Sequence, residues 1–311
     1  TTFLGHYKGS QLTEERLRQR NDALEGQIKE RNAAFIDVFL PVFDSYQEHL
    51  ESKNEIDFHD MISQASSLVE EGKYKNPFRY IMVDEFQDIS VGRSKLVSAL
   101  QSSNDDTQLF CVGDDWQAIF RFAGSDINVM KEFGTYFGKF ERTDLSFTFR
   151  SEEKITNQAT NFIMQNEAQI PKSVSAIRKS QNPSVFISFK KQSNKEENFI
   201  DAQDHLSEIM GHIASEASEN NKPEVLVLGR YNLDTYNRAF SIDYKTILAG
   251  MQKKFPDQEI TFKTVHRSKG LEADYVIILE VVNDFLGFPN EQADDHILDL
   301  VLAKSEAFPN S

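Results

Sequence analysis

The chain has 311 residues, a formal charge of −15, an apolar share of 39% and one cysteine. That length allows two domains of ordinary size, and the negative charge argues against gripping nucleic acid by bulk positive potential, though a few residues suffice for a local basic groove. No apolar run approaches the ~20 residues that span a bilayer, no signal-peptide pattern opens the chain, and a lone cysteine excludes an internal disulfide or a cysteine zinc site, so a cytoplasmic location without a membrane partner is expected.

Residues 1 to 76 read as mostly helical. Thr13-Glu14-Glu15 is a helix start, with a capping hydroxyl followed by acids in the first turn. Phe35, Val38, Phe39, Val42, Phe43 and Tyr46 recur at helical spacing and predict core packing, with a kink or break at Pro41. Asp57 is expected to cap a further helix, and His59 beside it reads as an ordinary surface residue.

Then Tyr80-Ile81-Met82-Val83 forms a short apolar run of strand formers, which suits a strand covered on both faces. At its end the polarity flips to Asp84-Glu85-Phe86-Gln87-Asp88. Ligands of open α/β sheets bind outside the carboxyl ends of strands, so these acids sit where a metal and a water can be handled. Ser90 to Ala99 fits an amphipathic helix. Gln108 to Val112 is a second short strand, in which Cys111 is expected to be buried and inert. It runs into Gly113-Asp114-Asp115-Trp116-Gln117-Ala118-Ile119-Phe120-Arg121-Phe122. The glycine permits close backbone approach, and Gln117 can orient a water or contact a phosphate. Phe120, Arg121 and Phe122 combine stacking surface with a guanidinium, as single-stranded nucleic acid requires.

Asp144 to Ser151 is a third strand-like unit, with Arg150 at its end in reach of a phosphate. Residues 152 to 166 predict a helix, Pro171 to Pro183 a basic loop, Val185 to Phe189 a strand and Ser193 to Glu219 a polar helix. Glu224 to Leu228, Ile260 to Lys263 and Tyr275 to Leu279 read as strands, and Tyr244 to Lys254 as a helix. Alternating strands and helices over residues 79 to 280 argue for parallel sheets of the doubly wound type.

Four stretches, in order, carry a resemblance: Val83 to Asp88, Gly113 to Asp126, Phe147 to Ser151 and Thr264-Val265-His266-Arg267-Ser268-Lys269-Gly270-Leu271-Glu272. Together they resemble superfamily 1 DNA helicases of the UvrD/Rep type, most of all the helicase IV branch. The resemblance implies an α/β fold: a helical insertion subdomain over 1–76, the C-terminal part of a first RecA-like motor domain over 77–149, and a truncated second RecA-like motor domain over 150–311. It implies ATP and Mg²⁺ as cofactors and single-stranded and duplex DNA as partner.

By position, the resemblance makes Asp84 the metal ligand and Glu85 the general base, with Gln117 sensing and Arg150 clamping the γ-phosphate. Gln87, Asp114, Phe149, Gly270 and Glu272 fall at nucleotide-contacting positions, Glu272 toward the ribose. Phe120, Arg121, Phe122, Thr264, His266, Ser268 and Lys269 fall where the family touches DNA.

The chain also departs from the pattern. It contains no Gly-x-x-x-x-Gly-Lys-Ser/Thr, the loop that wraps the β-phosphate, and it lacks the family's final arginine motif. The reading is an internal helicase fragment with little turnover alone. The alternatives are a helicase-like module that binds DNA or protein without turnover, and the helicase portion of a helicase–nuclease.

Overall fold

The computed structural model describes residues 2–166, 169–179, 185–188, 195–216, 222–240, 242–283, 287–288 and 295–302. They fall into two compact units. The first comprises the chain up to Ser146, the segment Asn161–Ser173 and the C-terminal helix; the second comprises Phe147–Thr160 and the described residues from Val174 to Asn283 with 287–288. The first unit therefore includes both the helical segment and the acid-tipped strand.

Its helical layer is built from α1 (Thr2–Gly9), α2 (Glu14–Asp22), α3 (Gly26–Lys53) and α4 (Phe58–Glu70). The Thr13 hydroxyl accepts the Arg16 N–H, as the sequence predicts for a helix start. The expected break at Pro41 does not occur, since α3 is continuous through it. Proline deprives the Asp37 carbonyl of its partner, but both residues lie on the exposed side, where water can serve that oxygen. The apolar stripe of α3 splits. Phe35, Phe39 and Phe43 pack edge-on against Phe3 and Tyr7 of α1, whereas Val38 and Val42 face outward. Leu17 and Ile36 are fully buried in the same cluster, each contributing about 1.5–3 kcal/mol.

The acid-tipped strand β1 (Tyr80–Val83) is followed by α5 (Val91–Ser102) and then β2 (Gln108–Cys111), which pairs with β1 in parallel, Met82 opposite Phe110. Val83, Leu109 and Cys111 pack on a core of Phe86, Ile89, Val129, Tyr136 and Phe137, the last three from α6 (Ile127–Lys131) and α7 (Phe133–Phe137). The expectation that β1 is covered on both faces is corrected here: Tyr80, Met82 and Phe110 are exposed, because in this chain no described element lies over that face. Cys111 is only half-buried, and burial pushes its thiol up to about 12, so it remains an inert thiol.

The second unit starts with β3 (Phe147–Thr148), shorter than the predicted strand because Leu145 and its neighbours are exposed. After α8 (Glu153–Ile163), β4 (Ser175–Ala176) pairs with β3 in parallel, inside the stretch predicted as loop. Val185 to Ser188 is irregular rather than a strand, its Phe186 and Ile187 side chains exposed and unable to anchor one; Phe189 lies outside the described residues. Then follow α9 (Lys195–Glu216), β5 (Glu224–Gly229), α10 (Leu233–Phe240), α11 (Tyr244–Lys254), β6 (Glu259–Thr264) and β7 (Tyr275–Ile278), with α12 (His296–Leu302) returning to the first unit. The three strands form an all-parallel sheet in the order β6-β5-β7. Central β5 is nearly all buried, against Met210, Tyr236, Ile247 and Met251.

Two contacts lock α1 to its neighbours, one to α5 and one to the start of α4. Gly92 on α5 crosses α1 so closely that a Cβ there would lie 2.9 Å from the Gly9 carbonyl oxygen. The almost buried Lys8 ammonium pairs with Asp57 at 2.6 Å and Asp60 at 2.7 Å. Asp57 also caps α4 through the His59 and Asp60 N–H groups, as predicted, and Asp60 completes a capping box. Burial pushes the Asp57 carboxyl upward, but the hydrogen bonds from Lys8, the Asp60 N–H and Tyr46 outweigh it and hold the group below the usual range.

Replacing Asp57 by Ala removes cap and ion-pair partner together and is expected to cost about 2 kcal/mol in urea unfolding, with Asp57→Asn costing less. Because the folded-state value is depressed, this contribution is complete above the ordinary carboxyl value of 3.8 and is lost as pH falls below it. A wild-type-minus-Asn stability difference that shrinks on acidification from pH 5 toward about 3 is the check.

Candidate functional site

Parallel pairing brings the carboxyl ends of β1 and β2 side by side, and the ladder runs on past them. The Val112 N–H donates to the Val83 carbonyl at 2.9 Å, and the Phe86 N–H to the Val112 carbonyl at 2.8 Å. The two acid turns are thereby held against each other. Glu85 sits at φ 50° and ψ 41°, the left-handed region. For a residue with a Cβ this costs roughly 1–2 kcal/mol, strain of the kind that collects at functional sites. The Asp84 carboxylate accepts the Glu85 N–H at 2.8 Å, and both acids are exposed.

Behind them lies Gln87, 1% exposed. Its Nε2 donates to Glu85 Oε2 at 2.6 Å, and its Oε1 accepts the Asp114 N–H at 2.9 Å. Only glycine fits at 113, since a Cβ would lie 2.7 Å from that same Oε1. Asp114 in turn accepts the Gln117 side-chain amide at 2.8 Å and the Trp116 N–H at 3.2 Å. One hydrogen-bonded path therefore runs Glu85–Gln87–Asp114–Gln117, four residues that the sequence reading placed at a nucleotide site.

A residue absent from that reading closes the turn. The Lys172 ammonium pairs with Asp114, with Asp115 at 2.7 Å, and lies 4.7 Å from the centre of the Trp116 ring. Asp115, nearly fully buried, also accepts the Ile170 N–H at 2.8 Å. Burial pushes the Asp114 carboxyl up, but Lys172, Gln117 and the Trp116 N–H hold it below the usual range. A buried acid in a segment without a base demands a distant cation, so a basic residue in the Pro171 loop was the available signal.

Phe120 and Phe122 form a tilted ring pair with centroids 6.0 Å apart. Phe122 and Arg121 are exposed. The following Asp126 N–H donates to the Ile89 carbonyl at 2.9 Å and the Ser125 hydroxyl to the Asp88 carbonyl at 2.9 Å, so the aromatic loop is fastened to the acid turn.

In the second unit, Arg150 Nε meets Glu272 Oε1 at 2.7 Å, joining two residues 122 positions apart. Phe149 beside it is exposed. Arg178, also unforeseen, grips the loop from beneath: Nη2 donates to the Phe149 carbonyl at 2.7 Å and the Arg150 carbonyl at 2.5 Å. Thr264 ends β6, and His266 and Ser268 lie in a single 3-10 turn after it, followed by Lys269 and then Gly270 at φ 79°. Burial lowers the His266 pKa, and the Arg230 charge lowers it further, so the imidazole is neutral at pH 7.

The donor chemistry suits Mg²⁺, which takes one or two carboxylates and keeps its remaining positions for water and phosphate oxygens. Asp84 is an exposed carboxylate beside a second one; among the described residues no group of three or more His, Cys, Asp or Glu side chains gathers as a metal cage, there or elsewhere.

Residues 2–138 match the UvrD/REP helicase N-terminal domain. Over that segment the chain belongs to that family. DNA helicase IV of Escherichia coli is 33% identical over 287 residues, 92% of this chain. The UvrD/REP relatives also include the putative ATP-dependent DNA helicase YjcD of Bacillus subtilis, 30% identical over 44% of the chain. The ATP-dependent DNA helicase PcrA of Staphylococcus epidermidis is 32% identical over 46% of it. The chain spans 38% of the length of the Escherichia coli protein, and 18% and 20% of the other two. No described helix is long and apolar enough to cross a membrane.

Gly113→Ala must displace the Gln87 amide and is expected to destabilise the first unit by about 1–3 kcal/mol, read as a lower urea midpoint with an unchanged slope. Arg178→Ala is expected to speed amide exchange at Phe149 to Ser151 while that of β5 stays unchanged, because it frees two carbonyls of one loop and touches no core residue.

Proposed function

We propose that this chain is the motor-containing part of an ATP-dependent DNA helicase or translocase of the cytoplasm. It would bind single-stranded DNA and couple hydrolysis of Mg²⁺-ATP to movement along it and to unwinding of duplex. The observation that supports this reading best is the hydrogen-bonded path from Glu85 through the buried Gln87 to Asp114 and Gln117. It links the side chains read here as base and as phosphate sensor, which lie in the turns that follow two adjacent parallel strands.

Asp84 holds the metal in this reading, and bound Mg²⁺ supplies charge neutralisation at the phosphate oxygens. Glu85 accepts the proton of the attacking water. Its left-handed backbone and the Gln87 N–H on Oε2 fix the carboxylate, so little reorganisation is needed. Gln117 has one amide N–H committed to Asp114, which leaves its carbonyl for a water and its second N–H for a phosphate oxygen. The Arg150–Glu272 pair is solvent-exposed on both sides and is therefore weak. A phosphate can replace Glu272 as the partner of Arg150, with stronger charge-assisted hydrogen bonds, which frees Glu272 for a ribose hydroxyl. Gln87, Phe149 and Gly270 complete the nucleotide set.

DNA binding rests on stacking and a few cations rather than overall charge. Phe122 offers an exposed ring supported by Phe120, Arg121 a guanidinium, and Thr264, His266, Ser268 and Lys269 one short turn of donors. A neutral His266 contributes a hydrogen bond rather than an ion pair.

The test uses the full open reading frame. Glu85→Gln is expected to lower kcat for DNA-stimulated ATP hydrolysis by about 10²–10⁴ while ATP binding persists. Phe122→Ala is expected to weaken single-stranded DNA binding by about 1–3 kcal/mol. Hydrolysis by Glu85→Gln at the wild-type rate would remove the base assignment.

A further inference from the structure

We propose that Lys172 is a positioning residue that latches the Asp114–Gln117 turn and so sets the Gln117 amide; this rests on the reading of Gln117 as the γ-phosphate sensor. Lys172 is not itself one of the residues read as contacting nucleotide; it acts through Asp114, with which it pairs. Its ammonium meets both carboxylates of the Asp114-Asp115 pair and lies over the ring of Trp116, the next residue. Among the described residues no other cation pairs with either acid.

Two adjacent carboxylates repel each other, and Asp115 is nearly fully buried, so the turn is unfavourable without a cation between them. Once placed, each acid has a second task. Asp115 takes the Ile170 N–H, which anchors the backbone that carries Lys172. Asp114 takes the Gln117 amide, and its own N–H leads through Gln87 to Glu85. The latch therefore acts on both ends of the path. Lys172 comes from Asn161–Ser173, a segment of the first unit flanked in sequence by segments of the second. The turn is thus fixed by a part of the chain more than fifty positions away from it.

The experiment compares the wild-type full open reading frame with Lys172→Met, Lys172→Arg, the double variant Lys172→Met/Asp115→Asn, and Gln117→Ala. Lys172→Met is expected to lower kcat for ATP hydrolysis on the order of tenfold or more, with KM for ATP changed less than about threefold, and Lys172→Arg to restore most of the loss. Should Lys172→Met fail to fold, the double variant, which removes the buried charge it leaves behind, is expected to fold and remain slow. Trp116 is the sole tryptophan of the 311-residue chain, so its emission there is expected to shift in Lys172→Met and return in Lys172→Arg. A wild-type kcat in Lys172→Met or in the double variant, with Gln117→Ala slow, would overturn the latch alone. A wild-type kcat in Gln117→Ala would instead overturn the sensor reading, and the latch with it.

Discussion

The site depends on a single uncharged side chain in a space that admits nothing larger. The Gln87 amide is buried, donates on one side to a carboxylate and accepts on the other from a backbone N–H of the neighbouring strand end. An amide offers both functions at once, from two separate atoms, without adding charge. A carboxylate at 87 would repel Glu85, and an aliphatic residue would leave the Asp114 N–H without its acceptor. The fit exists because residue 113 is glycine, and the two strand ends meet because β1 and β2 pair in parallel. Sheet register, glycine and glutamine are one arrangement.

Much of this was legible in the sequence because it is local. The Thr13 and Asp57 caps, the acid-tipped strand and the parallel arrangement follow from hydroxyls, acids and apolar runs within a few residues of one another. The residues of the Glu85-to-Gln117 path were legible through the motifs that carry the family resemblance. What local pattern could not supply was long-range pairing. Lys172 and Arg178 lie in a basic loop with no motif of its own, and their partners are the backbone and carboxylates of distant turns. Pro41 failed as a helix breaker because packing on either side of it outweighed one lost hydrogen bond. The strand expected at Val185 to Phe189 had the right composition but no neighbour to pair with over its described residues.

Electrostatics divides the molecule in the same way. A net charge of −15 is felt by a polyanion only within the screening length of about 8–10 Å, and inside that range the proposed DNA binding has to draw on local features rather than on the charge of the whole chain. The exposed Phe122 ring, the turn after β6 and the cations near them are of that kind. In the proposed reading the acids at the strand ends do not conflict with a phosphate ligand, because Mg²⁺ held by Asp84 would offset their charge.

The crossing of Gly9 and Gly92 has a mechanical meaning. Two helices in backbone-to-backbone contact have no side-chain cushion to compress, and the neighbouring Lys8 ties α1 to α4 through Asp57 and Asp60. Helix α5 starts directly behind the acid turn. The crossing thus braces the first turn of α5, the helix that follows the acid turn, directly against the end of α1.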